Sequence, residues 1–314
     1  MKKLFIAVAL VMLVFPARSM AADDSMSTLL TAEQDIKMAS SEIDTLMVYG
    51  GGANYTDATI RKATAAIGSI NKTTLVLRPG TWTISNTLTI TSNIILKVFP
   101  GTKISILPSK TLTINSPFDA GLYKVFSCVG TGAVLGLVES KPEWFGASMT
   151  DASVAIQSAL NSLANPGKLK LSGKYTILSI ANTRLTIPHD NITIEGDGPD
   201  KTSITVSGKN ECGLFFGLNR SNIQIRGIRF YGNNQASGGG GAYLNGSAIY
   251  FNANNSAAAI TGKFVIGNCE FDNFRSAYWV CFLNSGSTYA MQNIEIRRNK
   301  FYSYSGNSQE PTVG

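Results

Sequence analysis

Short segments in which apolar and polar residues alternate recur along the second half of the chain, separated by Asn, Gly and Ser. Four segments share one pattern: Asn191–Ile194, Asn222–Ile225, Lys263–Ile266 and Asn293–Ile296. When they are aligned on the last isoleucine, their offsets are 31, 41 and 30 residues. Alternation with period two is typical of a half-buried β-strand, so the pattern predicts one strand that returns at nearly regular intervals.

Further apolar segments accompany these strands. Phenylalanines follow the last three copies at Phe230, Phe271 and Phe301, and an apolar segment precedes each copy at Leu214–Phe216, Ile249–Phe251 and Val280–Phe282. Three strands in each repeat of about 30 residues indicate a solenoid whose rungs stack into parallel sheets. We predict three inward columns: Ile192/Ile223/Phe264/Ile294, Ile194/Ile225/Ile266/Ile296 and Phe230/Phe271/Phe301. A β-sandwich would not explain why the pattern returns in register.

A coarser repeat divides the chain into two modules. Asp57-Ala58-Thr59-Ile60 recurs 94 residues later as Asp151-Ala152-Ser153-Val154, and each copy precedes an amphipathic segment and then a strand. We predict a short helix at the start of each module. Asp57 and Asp151 are expected to cap these helices, because a short carboxylate can accept hydrogen bonds from the free N–H groups of the first turn.

The first residues have the composition of a secretory signal. Lys2 and Lys3 precede the apolar run Leu4–Phe15, and Ser19-Met20-Ala21 fits a signal-peptidase site. The run of about a dozen residues is shorter than the ~20 that a membrane span needs. We therefore predict a signal peptide at residues 1–21 and an exported product that has no membrane span after cleavage; an uncleaved anchor is the alternative.

Composition excludes several classes of protein. The 314 residues are 44% apolar and 15% charged, which is too little charge for a disordered or coiled-coil protein. Removing the three basic leader residues from the formal charge of +7 leaves +4, so no nucleic acid partner is expected. The single histidine, His189, excludes a histidine-rich metal site. The four cysteines allow three disulfide connectivities, but we favour buried free thiols.

One segment resembles a known family. Pro142–Ala147 reads PEWFGA, and it is followed by Thr150-Asp151 and by the segment Ala155–Leu160, which reads AIQSAL. This order is similar to that of the pectate-lyase superfamily of right-handed parallel β-helix proteins, which includes phage tailspike and exopolysaccharide-depolymerase relatives. The resemblance covers roughly residues 74–306 and implies a right-handed parallel β-helix that acts on acidic or complex polysaccharides. It implies Ca²⁺ if the protein is a lyase; the sequence itself requires no cofactor or metal.

The family's motifs are only partly present. Ser148–Ser153 replaces the family's G-D-G-x-x-D-D-T, and the polygalacturonase signatures N-T-D, D-D, G-H-G and R-I-K are absent. No catalytic residue therefore follows from the resemblance. Candidate residues have to come from the outward positions of the predicted strands.

The predicted fold is all-β, a right-handed parallel β-helix with short helices at the module starts. We assign residues 1–21 to the signal peptide, 22–56 to an N-terminal segment, 57–146 to a first β-helix-like module and 147–314 to the pectate-lyase-like β-helix. The last strand copy runs into the polar segment 305–314 without a recognisable cap. We expect a chain cut short at this end, or a second subunit that covers it in a homo-oligomer.

Two outward columns contain charged and aromatic residues that could contact a ligand. Arg229, Glu270 and Lys300 form one column, which we interpret as a solvated charge ladder. The next column contains Tyr231, Asp272 and Tyr302, where two aromatic rings could hold sugar faces on either side of a carboxylate.

The catalytic candidates are Asp272 and Glu270, together with Glu295 and Arg297. Two carboxylates can serve as the acid and base or nucleophile of a glycoside hydrolase, and Arg275 or Arg297 could neutralise a uronate in a lyase. Trp279 is a candidate for sugar stacking, but packing in the core is favoured.

The predicted function is that of a secreted, periplasmic or cell-surface protein that binds or cleaves polysaccharide, as a lyase or a glycoside hydrolase. The alternative is a non-catalytic envelope or adhesin-like solenoid, in which the coil is a rigid rod. The family resemblance is an argument from fold, and function has to be argued from the site.

Overall fold

A computed structural model describes residues 36–38, 45–48, 54–178, 184–207, 214–232, 247–254, 260, 262–274, 278–285, 291–302 and 312–313. The predicted signal peptide, the Gly238–Gly241 segment, Cys212 and Arg275 lie outside the described residues. No described helix is long and apolar enough to cross a membrane.

The described strands form six sheets, named A to F here. Sheets A, B and C form the first solenoid. In spatial order, sheet A contains β1 (Ile36–Met38), β2 (Thr45–Val48), β4 (Thr73–Leu77), β7 (Ile94–Val98) and β10 (Phe118–Asp119); sheet B contains β11 (Phe126–Cys128), β8 (Thr102–Ile106), β5 (Gly80–Ile84) and β3 (Asn54–Thr56); and sheet C contains β12 (Ala133–Leu135), β9 (Thr111–Ile114) and β6 (Leu88–Ile90). All described neighbours in these sheets are parallel except β1 and β2.

Sheets D, E and F form the second solenoid. Sheet D contains β13 (Leu137–Ser140), β14 (Leu163–Leu171), β17 (Ile192–Gly196), β20 (Ile223–Arg226), β23 (Phe264–Gly267) and β26 (Ile294–Arg297); sheet E contains β15 (Lys174–Leu178), β18 (Ser203–Ser207), β21 (Arg229–Tyr231), β24 (Glu270–Asp272) and β27 (Lys300–Phe301); and sheet F contains β16 (Leu185–Thr186), β19 (Phe215–Leu218), β22 (Ile249–Asn254), β25 (Tyr278–Ser285) and β28 (Thr312–Val313). The helices are α1 (Asp57–Ile67), α2 (Ser153–Asn161) and the 3₁₀ turn η1 (Pro142–Phe145).

From β4 to β12 and from β14 to β28, consecutive described strands enter three sheets in turn, so that each of these rungs adds one strand to each sheet of its solenoid. This arrangement confirms the all-β class and the parallel solenoid. The predicted register is also confirmed, since β20, β23 and β26 align Ile225 with Ile266 and Ile296. The rings of Phe230, Phe271 and Phe301 stack with centroids 5.2 and 4.9 Å apart.

Asparagines turn the chain into the strands of sheet D. Asn191, Asn222 and Asn293 have φ values of 59, 56 and 57°, a left-handed conformation that asparagine tolerates better than most residues. The Asn222 side-chain amide donates to Oδ1 of Asn191 at 2.8 Å, and Asn191 donates to Oδ1 of Asn165 at 2.8 Å. Asn191 and Asn222 are therefore turn residues whose side chains also join neighbouring rungs.

The two solenoids have separate cores that meet at η1. Trp144 is buried in the first core, and its indole N–H donates to the carbonyl oxygen of Gly121 at 3.0 Å. Phe145 packs against both cores. Glu143 accepts a 2.6 Å hydrogen bond from the Tyr175 hydroxyl at the start of sheet E. The PEWF segment therefore connects the two solenoids.

The capping prediction is wrong for Asp57. The residue that precedes α1 is Thr56, and the Asp57 carboxylate makes no cap bond. It accepts hydrogen bonds from the N–H and the hydroxyl group of Ser85, at 3.0 and 2.7 Å, and from Arg61 at 3.1 Å. Asp57 therefore ties the helix to the segment that follows β5. Asp151 does accept from the N–H of Ser153, the first residue of α2, at 2.9 Å.

Candidate functional site

The predicted charge ladder lies on the outer face of sheet E. Register places Arg229, Glu270 and Lys300 opposite one another on β21, β24 and β27. Lys300 Nζ lies 3.0 Å from Glu270 Oε1, whereas Arg229 reaches diagonally and places Nη2 2.8 Å from Asp272 Oδ2. The hydrogen bond that Arg229 donates to Asp272 raises the pKa of Arg229, and the one that Lys300 donates to Glu270 raises the pKa of Lys300.

Two tyrosines lie on either side of Asp272. Tyr231 is opposite Asp272 in the register, and the Tyr302 N–H donates to Phe271 on the other side of the same strand. Tyr231 is 39% exposed and Tyr302 is 38% exposed. The guanidinium carbon of Arg229 lies 5.7 Å from the centroid of the Tyr302 ring. We call Tyr231, Asp272, Tyr302 and Arg229 the tyrosine face.

Glu270 is less accessible than its outward direction suggests. It is only 6% exposed, and the ammonium group of Lys300 lies against its carboxylate. Any ligand that reaches this carboxylate has to displace Lys300. Glu270 therefore lies beside the tyrosine face, two residues before Asp272 on β24, and does not belong to the exposed surface of that face.

Glu295 and Arg297 lie on a different sheet from Glu270 and Asp272. Both belong to β26 of sheet D, where Glu295 pairs with Lys263 at 2.7 Å and with Arg297 at 2.8 Å. The hydrogen bond from Lys263 lowers the pKa of Glu295. The four predicted catalytic residues are therefore not brought together in one groove.

Trp279 belongs to the core rather than to the sugar-stacking surface. It is 1% exposed, and its ring lies 6.0 Å from Phe274 and 6.3 Å from Phe301. The register between β25 and β28 shifts between Tyr278 and Val280, so strict alternation fails there and both Trp279 and Val280 are buried. Trp279 therefore packs in the core, as favoured from the sequence, and its candidate role in sugar stacking is wrong.

A charged groove, which was not predicted from the sequence, lies where sheet D turns towards sheet E. Lys170 Nζ lies 3.2 Å from Glu195 and 2.7 Å from Asp197, and Arg226 lies 2.6 Å from Glu195. These four side chains, with Gly196, Gly198, Gly227 and Asn268, line a cavity of about 380 Å³. The alternating signs of Lys170, Glu195 and Arg226 at equivalent outward positions were the signal that could have revealed it.

The carboxylates of the groove are held by cations. The hydrogen bond from Arg226, against the opposing effect of burial, lowers the pKa of Glu195, and the hydrogen bond from Lys170 lowers that of Asp197. Burial acts to lower the pKa of Lys170, but its hydrogen bonds to Asp197 and Glu195 outweigh this and raise it. Among the described residues, no three His, Cys, Asp or Glu side chains form a group that could hold a metal ion.

Comparison with known proteins gives no relative. No protein-family model, no curated protein and no solved structure matches the chain significantly. The similarity to the pectate-lyase superfamily therefore rests on the PEWFGA and AIQSAL segments and stays a prediction.

Proposed function

We propose that the protein is an exported, right-handed parallel β-helix that binds polysaccharide on the tyrosine face. The handedness is the one expected for parallel strands joined by a crossover, and it agrees with the family resemblance. Export follows from the leader at residues 1–21. The regular parallel sheets support the proposal because they hold outward side chains about 4.8 Å apart along a straight face.

The observation that carries the proposal is the placement of Tyr231 and Tyr302 on either side of Asp272. Both rings are more than one third exposed, so both can contact a ligand. Aromatic rings can stack on the apolar faces of sugars, while a fixed carboxylate and guanidinium accept from and donate to hydroxyl groups. Arg229 holds Asp272 at 2.8 Å, so the polar groups are already oriented.

Binding is better supported than cleavage. Glu270 and Asp272 are alternate residues of β24, so their Cα atoms lie about 6.6 Å apart, and their side chains are the only pair of predicted catalytic carboxylates on one sheet. However, Lys300 and Arg229 each occupy one carboxylate oxygen of this pair. The catalytic roles of Asp272, Glu270, Glu295 and Arg297 remain predictions, to be checked by assaying Asp272→Ala for depolymerase activity.

The test is a binding screen with the mature protein on a panel of neutral and acidic polysaccharides. The double substitution of Tyr231 and Tyr302 by Ala should lower the affinity for the tightest-binding polysaccharide by about tenfold, since aromatic contacts contribute roughly 0.5–1.5 kcal/mol each. Phe99→Ala is a matched control, because Phe99 is 40% exposed but lies in the first solenoid. An equal loss of affinity in the control and in the double variant would show that the tyrosine face is not the binding site.

A non-catalytic structural solenoid is the second candidate. The observation that favours it is the pairing of charges on sheets D and E, where Glu270, Asp272, Glu195 and Glu295 each have a cationic partner within 3.2 Å. Such paired charges are typical of a solvated surface. Failure of the protein to bind any polysaccharide of the panel would favour this function.

A further inference from the structure

The single histidine of the chain lies in a turn between two strands of the second solenoid. His189 follows β16 of sheet F and precedes β17 of sheet D, and its ring is partly buried. The Nδ1 atom lies 2.8 Å from the carbonyl oxygen of Asp190, and the Nε2 atom lies 3.1 Å from the carbonyl oxygen of Leu163 on the preceding rung. Both ring nitrogens therefore face a backbone acceptor.

Only one protonation state of the ring satisfies both contacts. A carbonyl oxygen can accept a hydrogen bond but cannot donate one, and a neutral imidazole carries a single N–H group. In either neutral tautomer, one ring nitrogen would direct its lone pair at a carbonyl oxygen. The imidazolium carries two N–H groups, so it can donate to Asp190 and to Leu163 at the same time.

The repeat supports a cation at this position. His189 lies two residues before Asn191, and Arg220 lies two residues before Asn222 in the next rung. Arg220 is a permanent cation, and its Nε atom donates to the carbonyl oxygen of Ile187 at 3.0 Å. In both rungs, the side chain at this position therefore contacts a carbonyl oxygen of the preceding rung.

The charged groups around the ring oppose one another. Asp190 on the same turn favours a cation at His189, whereas Arg220 on the next turn disfavours it. Helix α2, which ends beside the start of β14, contains no charged residue. Lys168 on β14 is paired with Glu139 at 2.7 Å. The protonation state of the ring therefore depends mainly on its two hydrogen bonds.

We propose that His189 is a pH-sensitive clamp, which in its imidazolium form joins the turn Pro188–Asp190 to the start of β14. Loss of the ring proton removes one of the two hydrogen bonds and directs a lone pair at the other carbonyl oxygen. Because β14 pairs with both β13 and β17, the clamp supports the first rung of the second solenoid. The clamp does not depend on the tyrosine face or on a polysaccharide.

The sign of the pH dependence follows from the favoured form of the ring. The folded chain favours the protonated ring, so the stabilisation is fully present below about pH 6.5, where a histidine in an unfolded chain is also protonated. It is lost as the pH rises through the range in which the folded ring deprotonates. The first rung of the second solenoid is therefore tightened in acid and loosened in mild alkali.

The first test is a pH titration of the mature protein, without a histidine tag, followed by NMR of the imidazole ring. Because the chain contains one histidine, the signal reports on His189 alone. We expect the titration midpoint of the folded protein to lie at least about one pH unit above that of the same protein unfolded in urea, since hydrogen bonds from a charged donor are the strong ones. An equal or lower midpoint in the folded protein would overturn the inference.

Two substitutions separate the charge of the ring from its packing. His189→Gln keeps a polar side chain without a charge, and His189→Arg keeps a permanent cation. The thermal unfolding midpoint of the unsubstituted protein should exceed that of His189→Gln by about 3 °C at about pH 5.5 and should equal it at about pH 8.5. His189→Arg should differ from His189→Gln by the same amount at both pH values.

A constant difference between the unsubstituted protein and His189→Gln at both pH values would assign the effect to packing and would overturn the inference. The NMR titration uses the unsubstituted protein, so it decides the inference even where a variant does not fold.

Discussion

Replacing Asp57 by Asn should destabilise the first solenoid by about 2 kcal/mol at neutral pH. Asp57 is 2% exposed. Burial acts to raise its pKa, but hydrogen bonds from Ser85, Arg61 and Asn86 lower it from 3.8 to about 2. The fall in pKa from 3.8 to about 2, at 1.36 kcal/mol for each pH unit, corresponds to about 2 kcal/mol.

The sign of the pH dependence follows from the lowered pKa. Because the folded pKa lies below the unfolded value, the stabilisation is present above about pH 4 and is lost as pH falls through 2. The difference between the two proteins should therefore shrink by about half between pH 7 and pH 3.

The assay is urea unfolding followed by tryptophan fluorescence, since Trp82 and Trp144 lie in the first core. Asp119→Asn is the control, because Asp119 is 57% exposed, pairs with Lys97 at the surface and should change stability by less than about 1 kcal/mol. An Asp57→Asn variant within 0.5 kcal/mol of the parent (roughly the additivity error of such measurements), or a difference independent of pH, would refute the reasoning.

Three further changes test the packing. Phe271→Ala should cost about 3–5 kcal/mol in urea unfolding, because the ring stacks on a phenylalanine on each side; a loss below about 1 kcal/mol would argue against the stacked column. Gly196→Ala should lower stability by about 1–3 kcal/mol, because its Cβ atom would meet the backbone of Gly227; an unchanged melting curve would contradict that close approach. In the native protein a thiol reagent should label exposed Cys128 much faster than buried Cys269, since burial raises the pKa of the Cys269 thiol to about 12. Peptide mapping after labelling measures the order, and faster labelling of Cys269 would contradict this expectation.

Sequence alone predicted most of the inward columns and the turns, but Ile294, which was expected to face the core, is 41% exposed. Isoleucine and phenylalanine at period two have to face the core, and one rung cannot bury them, so Phe230, Phe271 and Phe301 were placed in register. Asparagine before Ile192 and Ile223 marked turns that need a left-handed residue. These features depend on local pattern and repeat length, which the sequence contains.

The pairing of charged side chains was less predictable. Arg229 was expected to pair within its own column, but its long side chain reaches Asp272 on the neighbouring column, a diagonal that register alone does not fix. Asp57 was expected to cap its own helix, but its partner Ser85 lies 28 residues further on. Cys128 is exposed although a buried thiol was expected: it has the inward parity of Phe126 and pairs with buried Ile106, but β11 is the edge strand of sheet B. Such outcomes depend on tertiary contacts.

A crystal structure of the mature protein with its tightest neutral oligosaccharide tests the central proposal most directly. The tyrosine face predicts sugar rings over Tyr231 and Tyr302, with hydroxyl groups within hydrogen-bonding distance of Asp272 or Arg229. Sugar bound elsewhere on the solenoid, with both tyrosine rings free, would contradict it.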